Sequence, residues 1–263
     1  MSRYLLPLVL AVCCLSVSAE EPLPKELPLD QEATALRSAE STGLSIYLHD
    51  RAAAAATDAI NHGQFKGDKR VRGWVTQEQQ GQIVVTFIDQ TPAALYRVAV
   101  SSNGVAGPVT ALENPTPLTS YESGAAVARA AALASPYRPC AATYNSVVLP
   151  LPSATSNSWA VYLLPGTTQN DVVPIGGSYR FTVSGSKIIS QRGFTKTCIA
   201  LHTGPNVAGL MITHLLDPIP TEAHVFWSLW AKKPIYVATP PNGTIWDVEG
   251  NEIKLVERKA TGG

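Results

Sequence analysis

Two cysteines place the strongest constraint on how this chain can fold. Four occur in all, but Cys13 and Cys14 lie in a stretch that reads as a removable export signal, which leaves Cys140 and Cys198. In an oxidising compartment a lone pair of this kind forms one disulfide. Closing so long a loop stabilises the folded chain by roughly 4 kcal/mol on the chain-entropy argument. A metal or redox reading is weaker, because neither cysteine has a second one at close spacing. The expected bridge lies wholly in the second half of the chain and begins at that half's first residues.

The export signal is read from MSRYLLPLVLAVCCLSVSAEEPLP. Arg3 supplies the positive n-region, an apolar run follows from Tyr4 to Leu15, and Val17-Ser18-Ala19 precedes Glu20 as a cleavage pattern. That run is shorter than the ~20 residues a spanning helix needs, and no later stretch is apolar for that length. Val12 is too bulky to precede a lipidated Cys13. The expectation is a signal peptide over 1–19 and a periplasmic or secreted mature chain with no transmembrane segment.

Charge points to no partner. Lys+Arg and Asp+Glu balance at 20 each, and losing Arg3 leaves the mature chain one unit negative. The absence of a basic stripe or arginine-rich arm argues against nucleic acid. With 45% hydrophobic and 15% charged residues the chain can bury a sizeable core, so it is globular and not disordered.

The proline-rich segment from Glu20 to Leu29 reads as an extended lead-in. Asp30 then caps a short helix through Ser41, so that 20–43 forms a lead-in and helix. A second helix is expected from about Leu44 to His62, where Leu44, Tyr47, Leu48, Ala52, Ala55 and Ala59 share a face and Gly63 stops it. Three short strands follow, Val71–Gln77, Gln82–Asp89 and Ala94–Ser101, as an antiparallel meander. Thr119 with Glu122 makes a capping box for an alanine-rich helix ending at Pro136. From Cys140 onward the pattern is nearly all strand, with VSGSK and VEGNE as two-residue hairpin turns. The expected fold is α+β, with a helix–three-stranded meander–helix unit over 44–136. A β-rich antiparallel domain with one disulfide follows over 137–258, then a flexible tail over 259–263. No internal repeat is strong enough to use.

MITHLLDPIPTEAHVFWSL, from Met211 to Leu229, gathers the most chemistry. If Val207–Leu215 and His224–Ala231 pair as a hairpin, His214 faces His224, and Glu222 lies on the same face. Asp217 sits at the loop mouth, and His202 adds a nitrogen from a neighbouring segment. Imidazoles with a carboxylate are the ingredients of a zinc site, and an open fourth position would make it hydrolytic. The competing reading is structural: DPIP is a stiff turn, no HExxH is present, and a register slip of one residue would separate the histidines. The structural hairpin is preferred, with no cofactor expected and zinc as the alternative.

Other constellations are bland. Ser184 to Lys187 has S-x-x-K spacing but falls on a hairpin turn and lacks a K-T-G partner. Gly176-Gly177 sets a turn before a strand. His49 and Asp50 are adjacent on a helix and so point apart, which does not suit a dyad. Trp227 and Trp230 fall on opposite faces of a regular strand.

WAVYLLPGTTQNDVVPIGGSYRFTVSG, RGFTKTCIAL and MITHLLDPIPTEAHVFWSL together resemble an exported protein family of Gram-negative bacteria that carries no assigned function. The likeness covers mainly Cys140 to Val256. It implies an envelope location and brings no activity or catalytic residue. The function expected is a non-enzymatic binding or envelope-interaction module whose partner is an unknown protein or envelope component. The alternative is a metal-dependent hydrolase using His214, His224, Glu222 and His202.

Overall fold

A single helix of 33 residues, α1 (Leu29–Asn61), stands where two shorter ones are expected. This computed structural model describes residues 26–63, 65–152, 157–240 and 242–258, so the expected signal, the start of the lead-in and the tail lie outside the described residues. Gly43 does not break α1; it makes room for a crossing helix. A Cβ there would fall 2.5 Å from the Val225 Cβ and 2.8 Å from the Glu222 carbonyl oxygen. The ~1 kcal/mol that glycine costs inside a helix is offset by this close approach. Asp30 is not the cap but sits with Glu32 in the first turn, where both carboxylates suit the positive end of the helix dipole.

The first sheet follows α1. Strands β1 (Gly73–Gln79), β2 (Gln82–Ile88), β3 (Ala94–Ser101) and β4 (Thr110–Thr116) lie in sequence order, all antiparallel. The three expected strands are present, and β4 is the one the sequence hid. Its TALENPT is polar and carries a proline, which suits an edge strand and not a central one. One face of this sheet sets Val85, Phe87, Val98 and Val100 against Ala52, Ala56 and Ile60 of α1.

Helix α2 (Ser120–Ala134) starts at the expected capping box, with Thr119 accepting from the Glu122 N–H and Glu122 accepting from the Thr119 N–H. Glu122 also binds Thr86 at 2.6 Å and Arg97 at 2.9 Å, both from the sheet's second face. Burial works to raise its pKa, but the bonds from Arg97, Thr86 and the Thr119 N–H outweigh that and hold it at about 2. The other side of α2 packs on the second sheet.

The next strands are β5 (Tyr144–Pro150), β6 (Ser158–Pro165), β7 (Val172–Val173), β8 (Tyr179–Ser184), β9 (Lys187–Gly193) and β10 (Leu201–His202). The second sheet has the order β5-β6-β8-β9, while β7 and β10 form a small separate pair. The VSGSK hairpin is as expected, with Gly185 at φ +59°. Trp159, Val161, Leu163, Phe181 and Val183 point towards α2, and alternation turns Ala160, Tyr162, Arg180 and Thr182 the other way. The Cys140–Cys198 disulfide forms, with the Cα atoms 5.3 Å apart. It lies against Gly177, whose φ of +87° sets the turn into β8.

The end of the chain corrects one expectation outright. His224–Ala231 is not a strand but part of α3 (Glu222–Ala231), which joins β11 (Leu210–Thr213) to a parallel neighbour, β12 (Ile235–Thr239). Antiparallel β13 (Thr244–Glu249) and β14 (Glu252–Arg258) complete the third sheet. The hairpin register that set His214 opposite His224 therefore does not exist. EAHVFWSLWA is buried on nearly all sides, so its periodicity does not separate helix from strand, and its aromatics favoured strand. On the helix Trp227 and Trp230 share a face, their ring centroids 5.4 Å apart. The Trp227 Nε1–H donates to the Ser178 hydroxyl at 3.0 Å.

A helix and a four-stranded sheet thus recur three times, although the sequence shows no repeat. The N-terminal half of α1 packs on α3 and is tied to β14, where the Ile253 N–H donates to Glu40 and Arg258 pairs with Glu32. The architecture is α+β and β-rich, as expected.

Candidate functional site

The other face of the second sheet buries Ala160 and Tyr162 but does not meet α1 squarely, and a cleft of about 930 Å³ is left between them. Its floor is Leu149, Ala160, Tyr162, Arg180, Thr182 and Arg192. One wall is the polar side of α1, with Ser38, Ser41, Thr42, Ser45 and His49. The other wall is the segment from Asp217 to Glu222 that leads into α3.

Arg180 and Arg192 stand directly opposite each other on β8 and β9. Like charges so placed repel, and each is compensated from the far wall. Arg180 Nη1 donates to Glu222 Oε1 at 2.8 Å, and the Tyr162 hydroxyl donates to the same oxygen at 3.3 Å. Arg192 holds Asp217 with both Nη groups, the Nη1 bond being 3.1 Å, and its guanidinium lies over Phe194. The two ion pairs therefore clamp the α3 lead-in to the sheet.

His214 and His224 do come together, although not across a hairpin. His214 follows β11 and His224 lies in the first turn of α3, and their rings meet edge to face with centroids 4.7 Å apart. His214 Nε2 is 2.8 Å from Asp217 Oδ2. His224 Nδ1 accepts the Thr221 N–H at 3.0 Å, as a glutamate would in a capping box. That bond leaves the ring proton of neutral His224 on Nε2. Burial, helped by the nearby His214, pushes the His224 pKa well below its ordinary value. Burial would raise the Asp217 pKa, but the bonds from His214 and Arg192 hold its carboxyl well below the usual range.

The residues expected to bind zinc are therefore divided. Glu222 turns into the cleft towards Arg180, His224 spends Nδ1 on a backbone amide, and His202 lies exposed on β10, opposite Val172. Among the described residues no group of three or more His, Cys, Asp or Glu side chains is placed to hold a metal ion.

His49 and Asp50 point apart, as adjacent helical residues should. His49 Nδ1 is 2.7 Å from the Thr76 hydroxyl on β1, while Asp50 accepts from Asn145 on β5 at 2.9 Å. Burial lowers the His49 pKa to about 4 and raises that of Asp50 to about 6.

Sequence reasoning missed Arg180, Arg192 and Tyr162. No local signal marked them: the VSGSK turn alone sets Arg180 opposite Gln191, and a bulge between Thr182 and Val183 brings Arg192 there instead.

No protein-family profile matches the chain, and no curated protein matches it. Among solved structures, the C-terminal domain of YpeB from Bacillus megaterium is similar with a TM-score of 0.19 and 12% identity. The match covers 56% of this chain and spans 65% of that domain. A likeness this slight carries no argument about fold or function.

Proposed function

We propose that this chain is an exported, non-enzymatic binding module of the cell envelope, and that the cleft between α1 and the second sheet holds its ligand. The observation that carries this reading is the make-up of the cleft. Its volume lies within the range of ordinary ligand sites. Its arginines are already neutralised by Glu222 and Asp217, while Ser38, Thr42 and Thr182 line the space. Such a lining suits a polar, largely uncharged ligand the size of a short peptide, held by hydrogen bonds. None of those three hydroxyls is hydrogen-bonded to a base, so the cleft favours recognition over bond-breaking.

Export rests on the reading of residues 1–19 as a signal, on the likeness to the exported Gram-negative family, and on the disulfide, which forms in oxidising compartments. Among the described residues no helix is long and apolar enough to cross a membrane.

The test is ligand retention. The mature chain is incubated with a soluble envelope extract, repurified and weighed by native mass spectrometry beside Thr42→Trp, whose indole fills the cleft. A bound mass on the wild type that is absent from the variant, at equal Tm, supports the reading. No bound mass, or the same mass on both, ends it.

A further inference from the structure

One arginine breaks a rule that the rest of the molecule obeys. Among the described residues the half-buried arginines are Arg97, Arg129, Arg180, Arg192 and Arg258. Four of these pair with a carboxylate: Arg97 with Glu122, Arg180 with Glu222, Arg192 with Asp217 and Arg258 with Glu32. Arg129, on α2, has none. Its Nε donates to the Ser146 hydroxyl on β5 at 2.8 Å, and both Nη groups are left without a hydrogen-bond partner among the described residues. A half-buried guanidinium without a counter-charge is costly, and burial lowers its pKa accordingly, while its Nη groups stay open to solvent.

The surroundings hold this guanidinium in place. It lies over Gly73 of β1, where a Cβ would sit 2.7 Å from its Cζ and Nη2 and 2.8 Å from Nη1. The position next to Gly73 is Arg72, which also forms no ion pair among the described residues. Arg72 and Arg129 line one recess of about 530 Å³ with Ile88, Asp89, Gln90 and Pro92, and it is separate from the cleft. Asp89 is the acid there, but its Oδ1 accepts from the Thr91 N–H, the Thr91 hydroxyl and the Ala93 N–H. These bonds, with a smaller contribution from Arg70, hold its pKa below the ordinary value. The recess is thus lined by two guanidinium groups, by Gln90 and by an Asp89 that is held in a turn through Oδ1 and stays ionised, so that positive charge exceeds negative by one.

We infer that the recess between α2 and the start of β1 binds a phosphate-type oxyanion, gripped by the free Nη groups of Arg129 and by Arg72. A guanidinium fork matches such an oxyanion with paired, charge-assisted hydrogen bonds. The oxyanion supplies the counter-charge that acids supply to the other half-buried arginines. The same chemistry serves free phosphate and a phosphate ester from an envelope lipid.

The experiment follows the Arg129 Nε–H resonance by NMR in the mature protein during titration with inorganic phosphate, and separately with glycerol phosphate, at constant ionic strength in chloride. A saturable shift is expected. Loss of one charge-assisted partner in Arg72→Gln weakens binding by about tenfold. Arg129→Lys, followed by isothermal titration calorimetry with the same two ligands because it lacks the Nε–H, keeps the charge, loses the fork and weakens binding at least as much. Tighter binding of the ester assigns the natural source to an esterified phosphate, and tighter binding of inorganic phosphate assigns it to the free ion. A linear shift that chloride reproduces overturns the inference, as does unchanged affinity in Arg72→Gln, an exposed position whose substitution leaves the fold intact.

Discussion

Val225 of α3 occupies the space that any side chain at Gly43 of α1 would need. The contact joins the first helix to the last and fixes one wall of the cleft. Gly43→Ala improves local helix propensity and yet overpacks the crossing. A net loss of about 1–3 kcal/mol is expected in urea denaturation. Adding Val225→Ala removes only the Cγ1 contact at 2.6 Å and leaves the Cβ at 2.5 Å and the Glu222 carbonyl at 2.8 Å, so most of the loss should persist. Full recovery would show that the Cγ1 contact alone sets it.

The buried pair His49 and Asp50 makes opposing contributions to acid stability. His49 binds its proton more weakly in the folded chain, so its contribution is full above pH 6.5 and is lost as the pH falls towards about 4. Asp50 binds its proton more strongly when folded, so stability is gained as the pH falls through about 6 towards 3.8. Between about 6 and 4 the two effects cancel. Asp50→Asn should therefore expose a steep acid loss, on the order of 3 kcal/mol across that window. His49→Gln should lose less stability than the wild type between pH 6.5 and 4.5, because the Asp50 gain then offsets the loss at His224. Urea midpoints measured from pH 7 to 4.5 decide the matter, and parallel profiles for both variants and wild type would refute it.

His224 adds a loss of the same sign as His49. Its folded pKa lies well below its ordinary value, so acid favours the unfolded chain from pH 6.5 downwards. His224→Gln should flatten that limb while keeping the bond to the Thr221 N–H. The check is the slope of ΔG between pH 6.5 and 5.5.

Glu222→Gln leaves Arg180 facing Arg192 without its counter-charge. Solvent screening at the half-exposed Arg180 keeps the coupling to about 1 kcal/mol. A double-mutant cycle with Arg180→Met measures it. The same variant should loosen the α3 lead-in, seen as faster amide exchange at Thr221.

Opening the disulfide lengthens the denatured chain's freedom more than it changes the native contacts. Cys140→Ala/Cys198→Ala should lose about 2–5 kcal/mol, with the native spectrum retained at low temperature. A Tm equal to that of the wild type would contradict this.

The elements legible in the sequence were those with local punctuation. The capping box at Thr119, the Gly185 hairpin and the β1–β3 meander follow from short-range chemistry, and the structure has them. The break expected between Ser41 and Leu44 and the strand expected over α3 were misread because their reasons are distant. A glycine that admits a neighbouring helix looks locally like a stop, and a helix buried on all sides loses the stripe that would mark it. The site was half visible. His214 and His224 do meet, yet on a strand end and a helix start, and the arginines that build the cleft floor carried no motif at all.

The ties from α1 to β14 bear on how the chain reaches its fold. Glu40 to Ile253 and Glu32 to Arg258 span 213 and 226 positions. The N-terminal half of the first helix thus waits for the last sheet, and α3, on which it packs, also comes late in the chain. Closure of this kind is slow, because long loops must be ordered before their contacts repay the entropy. A chain emerging from its N-terminus can pack the end of α1 on β1–β3 early, but it cannot close these two ties until nearly all of it is out.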